Sequence, residues 1–110
     1  MITIDSQDPE PLAEFWAAAT GYDILDTNDG WFFILTAEGA PVTLAIQKVD
    51  DPVTPGKNRI HFDNTVTDMD AEAERLVALG ASIVERRGDE NFAWITLADP
   101  QGNEFCIAAE

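Results

Sequence analysis

Apolar and polar positions alternate and then regroup along this chain in an order that occurs twice. Ile2 and Ile4 alternate with Thr3 and Asp5, the period-two pattern of a short half-buried strand. Asp8-Pro9-Glu10-Pro11 then opens a helix, with an acceptor for the free first-turn amides and a proline where its missing N–H is harmless. Leu12, Phe15, Trp16 and Ala19 make one apolar stripe at helical spacing, and Gly21 ends it. Three strands are predicted next, Tyr22–Asp26, Trp31–Thr36 and Val42–Val49. Asn28-Asp29-Gly30 and Glu38-Gly39-Ala40-Pro41 are the turns between them. Residues 50–58, with two prolines and a glycine, read as a linker.

The second half repeats the first. A strand runs from Arg59 to Val66, and Asp68 caps a helix with Met69, Ala73, Leu76 and Val77 on its stripe, ended by Gly80. Ser82–Arg86, Phe92–Ala98 and Glu104–Ala108 follow as strands, joined by Gly88-Asp89-Glu90-Asn91 and Asp99-Pro100-Gln101-Gly102. Asp8 and Ala13 match Asp68 and Ala73 at a shift of 60, and Gly21–Asp26 matches Gly80–Glu85 at 59. Trp31–Ile34 matches Phe92–Ile95, and Leu44–Ile46 matches Phe105–Ile107, both at 61. The fold class is therefore α+β: one domain of two βαβββ modules, residues 1–49 and 59–110, each too small to bury its helix and sheet alone.

Charge narrows the possible partners. With 21 acidic and 6 basic residues the net charge is −15, which repels nucleic acid and anionic membranes at long range. The pairs Lys57/Arg59 and Arg86/Arg87 could each attract an anionic group, but they read more simply as solvated loop ends. No apolar run approaches the ~18 residues of a membrane helix, and the N-terminus lacks the marks of a secretory signal. The single cysteine, Cys106, fits a reducing cytoplasm, where we expect the protein.

The duplicated βαβββ order, Phe15-Trp16 on the first helix and Asp99-Pro100-Gln101-Gly102-Asn103 before the last strand resemble the vicinal oxygen chelate superfamily of glyoxalases, bleomycin-resistance proteins, fosfomycin-resistance enzymes and extradiol dioxygenases. Pro55–Asp63 and Gly102–Ile107 look most like its glyoxalase-like domain branch. The resemblance implies a cupped mixed and antiparallel sheet with helices on its convex side, and a homodimer. It also implies metal-ligand positions at Met1, Ala45, His61 and Cys106. Ala45 offers no ligand atom and Met1 only a soft thioether, so His61 and Cys106 need help from Asp63, Glu104, Gln47 or Asp5. No metal or other cofactor is therefore expected, and the ligand set reads as degenerate.

If His61 faces the open side, alternation sends Asp63, Thr65, Thr3, Asp5, Ala45, Gln47, Glu104 and Cys106 there too. On the third strands either Trp31, Phe33 and Trp94 or Phe32, Ile34 and Ile95 face that side. The aromatic set is favoured, because small aliphatics fit a helix interface better. The expected site has His61 and Asp63 as its chemical pair, with Asp5, Trp31, Phe33, Gln47, Trp94, Glu104 and Cys106 around a small, planar, partly apolar ligand. The function expected is metal-free small-molecule binding. The alternatives are a lyase, isomerase or dioxygenase-type enzyme, using a metal or His61/Asp63 as general base, and a purely structural module.

Overall fold

The computed structural model describes residues 1–52 and 60–109. The expected start of a strand at Arg59, and the Lys57/Arg59 pair, lie outside the described residues. The chain divides into two compact units, Met1–Pro55 and Gly56–Glu110.

In the first unit, β1 (Ile2–Ser6) leads into α1 (Pro9–Thr20), then β2 (Asp23–Asp26), β3 (Phe32–Thr36) and β4 (Leu44–Lys48). The sheet order is β1-β4-β3-β2, with β1 and β4 parallel and the other pairs antiparallel. The second unit repeats this with β5 (Asp63–Val66), α2 (Met69–Leu79), β6 (Ser82–Gly88), β7 (Ala93–Ala98) and β8 (Glu104–Ala109). Its order is β5-β8-β7-β6, again with the first pair parallel. Two four-stranded mixed sheets, each with one helix, make the α+β fold of two βαβββ modules. A parallel β1–β4 pair needs a long connection, and α1 with the β2–β3 hairpin supplies it.

The helices show why these sequences start and stop where they do. At α2, the Asp68 carboxylate accepts from the backbone N–H of Ala71, the third helical residue, at 3.1 Å. At α1, Asp8 holds the same position, but its side chain makes no capping bond, contrary to expectation. The residue three on is Pro11, which has no N–H to give. Instead the buried Ser6 hydroxyl accepts from the Asp8 N–H at 3.0 Å and fixes the entry to the helix. Gly21 closes α1 at φ 78°, the left-handed conformation that glycine adopts without penalty.

Leu12, Ala13, Phe15 and Trp16 bury the inner face of α1, the two aromatic rings meeting edge to face at 5.3 Å. Phe33, Leu35, Leu44 and Ile46 complete that core. In the second module Ala73 and Leu76 of α2 are buried, as are Ile95, Leu97, Phe105 and Ile107 of the sheet. Each such aliphatic side chain withdrawn from water contributes roughly 1.5–3 kcal/mol. Val77, expected on the α2 stripe, is 44% exposed. It follows Leu76 directly, so the helix turns it about 100° away from that buried neighbour.

The strand registers correct one part of the repeat. Ile34 pairs with Ala45 in the first module, and Thr96 with Cys106 in the second. The third strands therefore match at a shift of 62, one more than the side chains alone suggest, and Phe32 rather than Phe33 corresponds to Trp94. A one-residue slip exchanges the faces of a strand. Phe33 accordingly sits opposite Ile46 on the helix-covered face, 5% exposed, and Phe32 sits opposite Gln47 on the other. The expectation that Phe33 lines the open face was wrong for this reason. Both modules also carry an irregularity at the same place, between Ile24 and Asp26 and between Ile83 and Glu85.

Candidate functional site

Residues opposite one another on adjacent strands share a face of the sheet, so the register of the second module lays out its open face in rows. One row runs Glu85, Thr96, Cys106, Asp63 across all four strands. The next runs Arg87, Trp94, Ala108, Thr65. Glu104 lies two residues before Cys106 on β8, and His61 two residues before Asp63. These rows line an open pocket of about 720 Å³, with Phe92 at its rim.

The hairpin that forms this rim is longer than its counterpart. β6 and β7 continue pairing through Arg86–Ile95, Arg87–Trp94 and Gly88–Ala93. In the first module the pairing of β2 and β3 stops at Asp26–Ile34, and a 3-10 turn at Asn28–Gly30 follows. The extension is what brings Arg87 and Phe92 to the pocket. Its tip is held by Asp89, whose carboxylate accepts from the backbone N–H groups of Asn91 at 2.8 Å and Phe92 at 3.1 Å. Those bonds, Asn91 first, draw the Asp89 pKa below its ordinary value. Phe92 and Trp94 then stand with ring centroids 5.7 Å apart at 39°.

At the floor, His61 Nε2 lies 3.6 Å from Asp63 Oδ1, both side chains being substantially exposed. This is an ion-pair distance, longer than a hydrogen bond. His61 precedes β5 instead of lying in it, contrary to the expected strand, but Phe62 is still tied to the sheet by accepting from the Cys106 N–H at 2.8 Å. Cys106 is buried, and its thiol meets the Thr96 hydroxyl at 3.4 Å. One donor atom each from His61, Asp63 and Cys106 fall within 4.8 Å of one another. Imidazole, carboxylate and thiol are all zinc ligands, so the chemistry of the set fits a divalent ion. In a tetrahedral zinc site such atoms stand about 3.5 Å apart, so this set would have to draw in.

Of the residues expected at the site, His61, Asp63, Trp94, Glu104 and Cys106 come together in this pocket. Asp5 and Gln47 are neighbours across β1 and β4 in the first module, with Phe32 beside Gln47. Trp31 precedes β3 and is 56% exposed, with Lys48 Nζ 5.1 Å from its ring centroid. Glu85, Arg87, Phe92 and Thr96 were missed. Arg87 lies one residue beyond the expected sixth strand, and plain alternation would have kept Glu85 on the face of Ile83, whereas the irregularity between them moves Glu85 to the open face. The two arginines there are also not loop ends. Arg86 donates to Asp70 Oδ1 at 2.7 Å and Arg87 to Glu85 Oε2 at 2.8 Å. Adjacent strand residues point to opposite faces, so the pair does not act together.

A family model, the glyoxalase-like domain, matches residues 1–108. The chain belongs to that family. Solved structures agree on the fold of this glyoxalase-like domain. A glyoxalase/bleomycin resistance protein/dioxygenase family enzyme from Burkholderia phytofirmans PsJN is 15% identical with a TM-score of 0.79, over 98% of this chain and 94% of that one. A genomically encoded fosfomycin resistance protein from Listeria monocytogenes is 17% identical with a TM-score of 0.77, over 99% and 89%. A lactoylglutathione lyase from Agrobacterium tumefaciens is 15% identical with a TM-score of 0.71, over 99% and 92%. At these identities the likeness establishes the fold alone. No curated protein matches the sequence. Among the described residues, no helix is long and apolar enough to cross a membrane.

Proposed function

We propose that this glyoxalase-like domain binds a small planar molecule on the open face of its second module, without a metal. The observation that carries the reading is the pocket of about 720 Å³ in which an aromatic pair, Phe92 and Trp94, stands beside the polar groups of His61 and Asp63. An apolar wall with a few polar anchors is the usual make-up of a small-molecule site. Phe92 is 58% exposed, and a ligand stacked on it would remove that surface from water. The test is a fragment screen followed by NMR on the three tryptophan indole N–H signals. Binders are expected to shift Trp94, and Trp94→Ala to weaken them by up to about tenfold, since an aromatic contact is worth about 0.5–1.5 kcal/mol beyond its area. Binders that shift only Trp16 or Trp31, or none at all, would remove the reading.

The cluster of His61, Asp63 and Cys106 favours a second reading, metal-assisted catalysis. Those three residues would hold the ion, and the ion would supply Lewis-acid polarisation of a substrate oxygen. His61 with Asp63 can also move a proton in a lyase or isomerase step. Added cobalt would then give a thiolate charge-transfer band that Cys106→Ser abolishes, and His61→Ala would abolish turnover with the fold intact. The metal-free reading expects no such band and no stoichiometric metal in the purified protein.

A homodimer in the cytoplasm completes the proposal. Among the described residues each sheet ends in strands with an unpaired edge within its own module, β1 and β2 in one, β5 and β6 in the other, and a second copy can cover such an edge. Sedimentation at a range of concentrations tests the dimer.

A further inference from the structure

We infer that the occupant of this pocket is a flat ring system with a carbonyl oxygen on the edge it turns to Trp94, where the oxygen accepts a hydrogen bond from the indole N–H. The inference rests on the small-molecule reading above and names the ligand class. Several polar groups around the pocket already face one another. The Thr96 hydroxyl meets the Cys106 thiol, and His61 stands against Asp63. Glu85 accepts from Arg87 Nε, and Glu104 is engaged as well.

The donors at the aromatic wall are unmet. Among the described residues every buried side-chain nitrogen and oxygen has a hydrogen-bond partner. The Trp94 indole N–H has no acceptor there, so it is not buried and solvent reaches it. Arg87 meets Glu85 through Nε alone, and the terminal nitrogens of its guanidinium have no partner among the described residues. An indole N–H and a guanidinium donate and never accept, so what they lack is an acceptor.

The register brings these donors to one place. Arg87 and Trp94 are directly opposite on β6 and β7, on the open face, and Ala108 and Thr65 continue their row across β8 and β5. Two strand spacings put the Trp94 and Thr65 backbones roughly 10 Å apart, and the side chain between them is the single methyl of Ala108. The gap over that methyl takes a flat ring. One edge then lies at the Trp94 and Arg87 donors, and the other at the Thr65 hydroxyl, which serves either way. A ring seated there displaces solvent from the indole N–H. A carbonyl oxygen on its edge takes the solvent's place, whereas a hydrocarbon edge leaves the donor with no acceptor. The loss from an unmet donor exceeds the gain from a made bond, so the site discriminates by what it rejects.

The test compares 2-acetylnaphthalene with 2-isopropenylnaphthalene, which has the same outline with a CH2 group in place of the oxygen. Both are titrated into the full chain, with the Trp94 indole N–H signal to place them and calorimetry to give affinities. The ketone is expected to bind roughly tenfold more tightly than the alkene, the scale of one unmet donor. Trp94→Phe keeps a ring and loses the N–H, and it should cut the ratio of ketone to alkene affinity roughly two- to tenfold. A tryptophan that only shaped the pocket would weaken both compounds together and leave the ratio alone. Should that variant misfold, Arg87→Met, which keeps the stem and loses the terminal donors, decides by the same ratio. Alkene binding as tight as the ketone, or a ratio that the variant leaves unchanged, overturns the inference and leaves the pocket reading standing. If neither compound shifts Trp94, the fragment hits that do shift it decide. Hits that carry an acceptor uphold the inference, and hits that carry none overturn it alone. No hit at Trp94 in pair or screen overturns both.

Discussion

At the scale of single residues, Gly88 holds the pocket rim together. It sits at φ 119°, and a Cβ built there would come within 2.3 Å of the Phe92 carbonyl oxygen and 2.4 Å of the Ala93 Cα. Those are backbone atoms of the paired strand, which cannot move aside without opening the hairpin. Gly102 is the natural control, since its φ is 89° but nothing lies within 4 Å of the added carbon. Gly102→Ala incurs conformational strain alone, about 1 kcal/mol. Gly88→Ala adds a backbone clash and should cost about 3 kcal/mol, read by chemical denaturation. It should also displace the Phe92 and Trp94 side-chain resonances, while Gly102→Ala leaves them in place. Equal costs at the two glycines would show that close approach is not what Gly88 provides. The carboxylate of Asp89 acts on the same tip from the other side, by holding the Asn91 and Phe92 amides.

At the scale of elements, the two helix starts show how one local rule gives two outcomes. Asp68→Ala is expected to destabilise the protein by about 1 kcal/mol, measured by urea denaturation, because it removes the bond to the Ala71 amide. A loss below a few tenths of a kcal/mol would mean that water replaces the cap at no cost. Asp8 looked equivalent in sequence, and only the proline three positions later revealed otherwise. Much else at this scale was legible. The element order and the parallel module repeat follow from periodicity and from Gly21 and Gly80. The face of the third strand was not. Trp31-Phe32-Phe33-Ile34 is apolar at every position, so it carries no alternation from which to read a phase. The register with β4 is what settles it, and that is a tertiary fact. The extended β6–β7 hairpin was hidden for a related reason. Its residues beyond the expected strand, Arg87 to Asn91, are polar and turn-like, and they read as loop. Pairing with Trp94 and Ala93 makes strand of Arg87 and Gly88. The site was therefore legible at its floor, where His61, Asp63 and Cys106 lie, and illegible at its rim.

At the scale of the whole molecule, charge is the dominant feature, and it predicts a sign. Residues 1–55 contain ten acids and a single base, Lys48, which lies over Trp31. The remaining residues contain eleven acids and five bases. Two effects of salt oppose each other. Screening weakens the attractive pairs on the surface, Arg75 with Glu72, Arg86 with Asp70 and Arg87 with Glu85. Exposed pairs of this kind contribute about 0–1 kcal/mol each. Screening also weakens repulsion among the remaining acids, which are far more numerous. At ~0.01 M salt the Debye length is ~30 Å, so each acid is felt across a whole module; at ~1 M it is ~3 Å, and only neighbours interact. Folding brings the acids closer together than they are in the unfolded chain, so repulsion penalises the folded state most at low salt. The melting temperature should therefore rise by several degrees between these limits, a shift of about 1 kcal/mol in a chain this size. Sodium chloride is the appropriate salt, because sulfate strengthens apolar burial on its own account. A fall in melting temperature across the same range would mean that the few ion pairs outweigh the acidic excess.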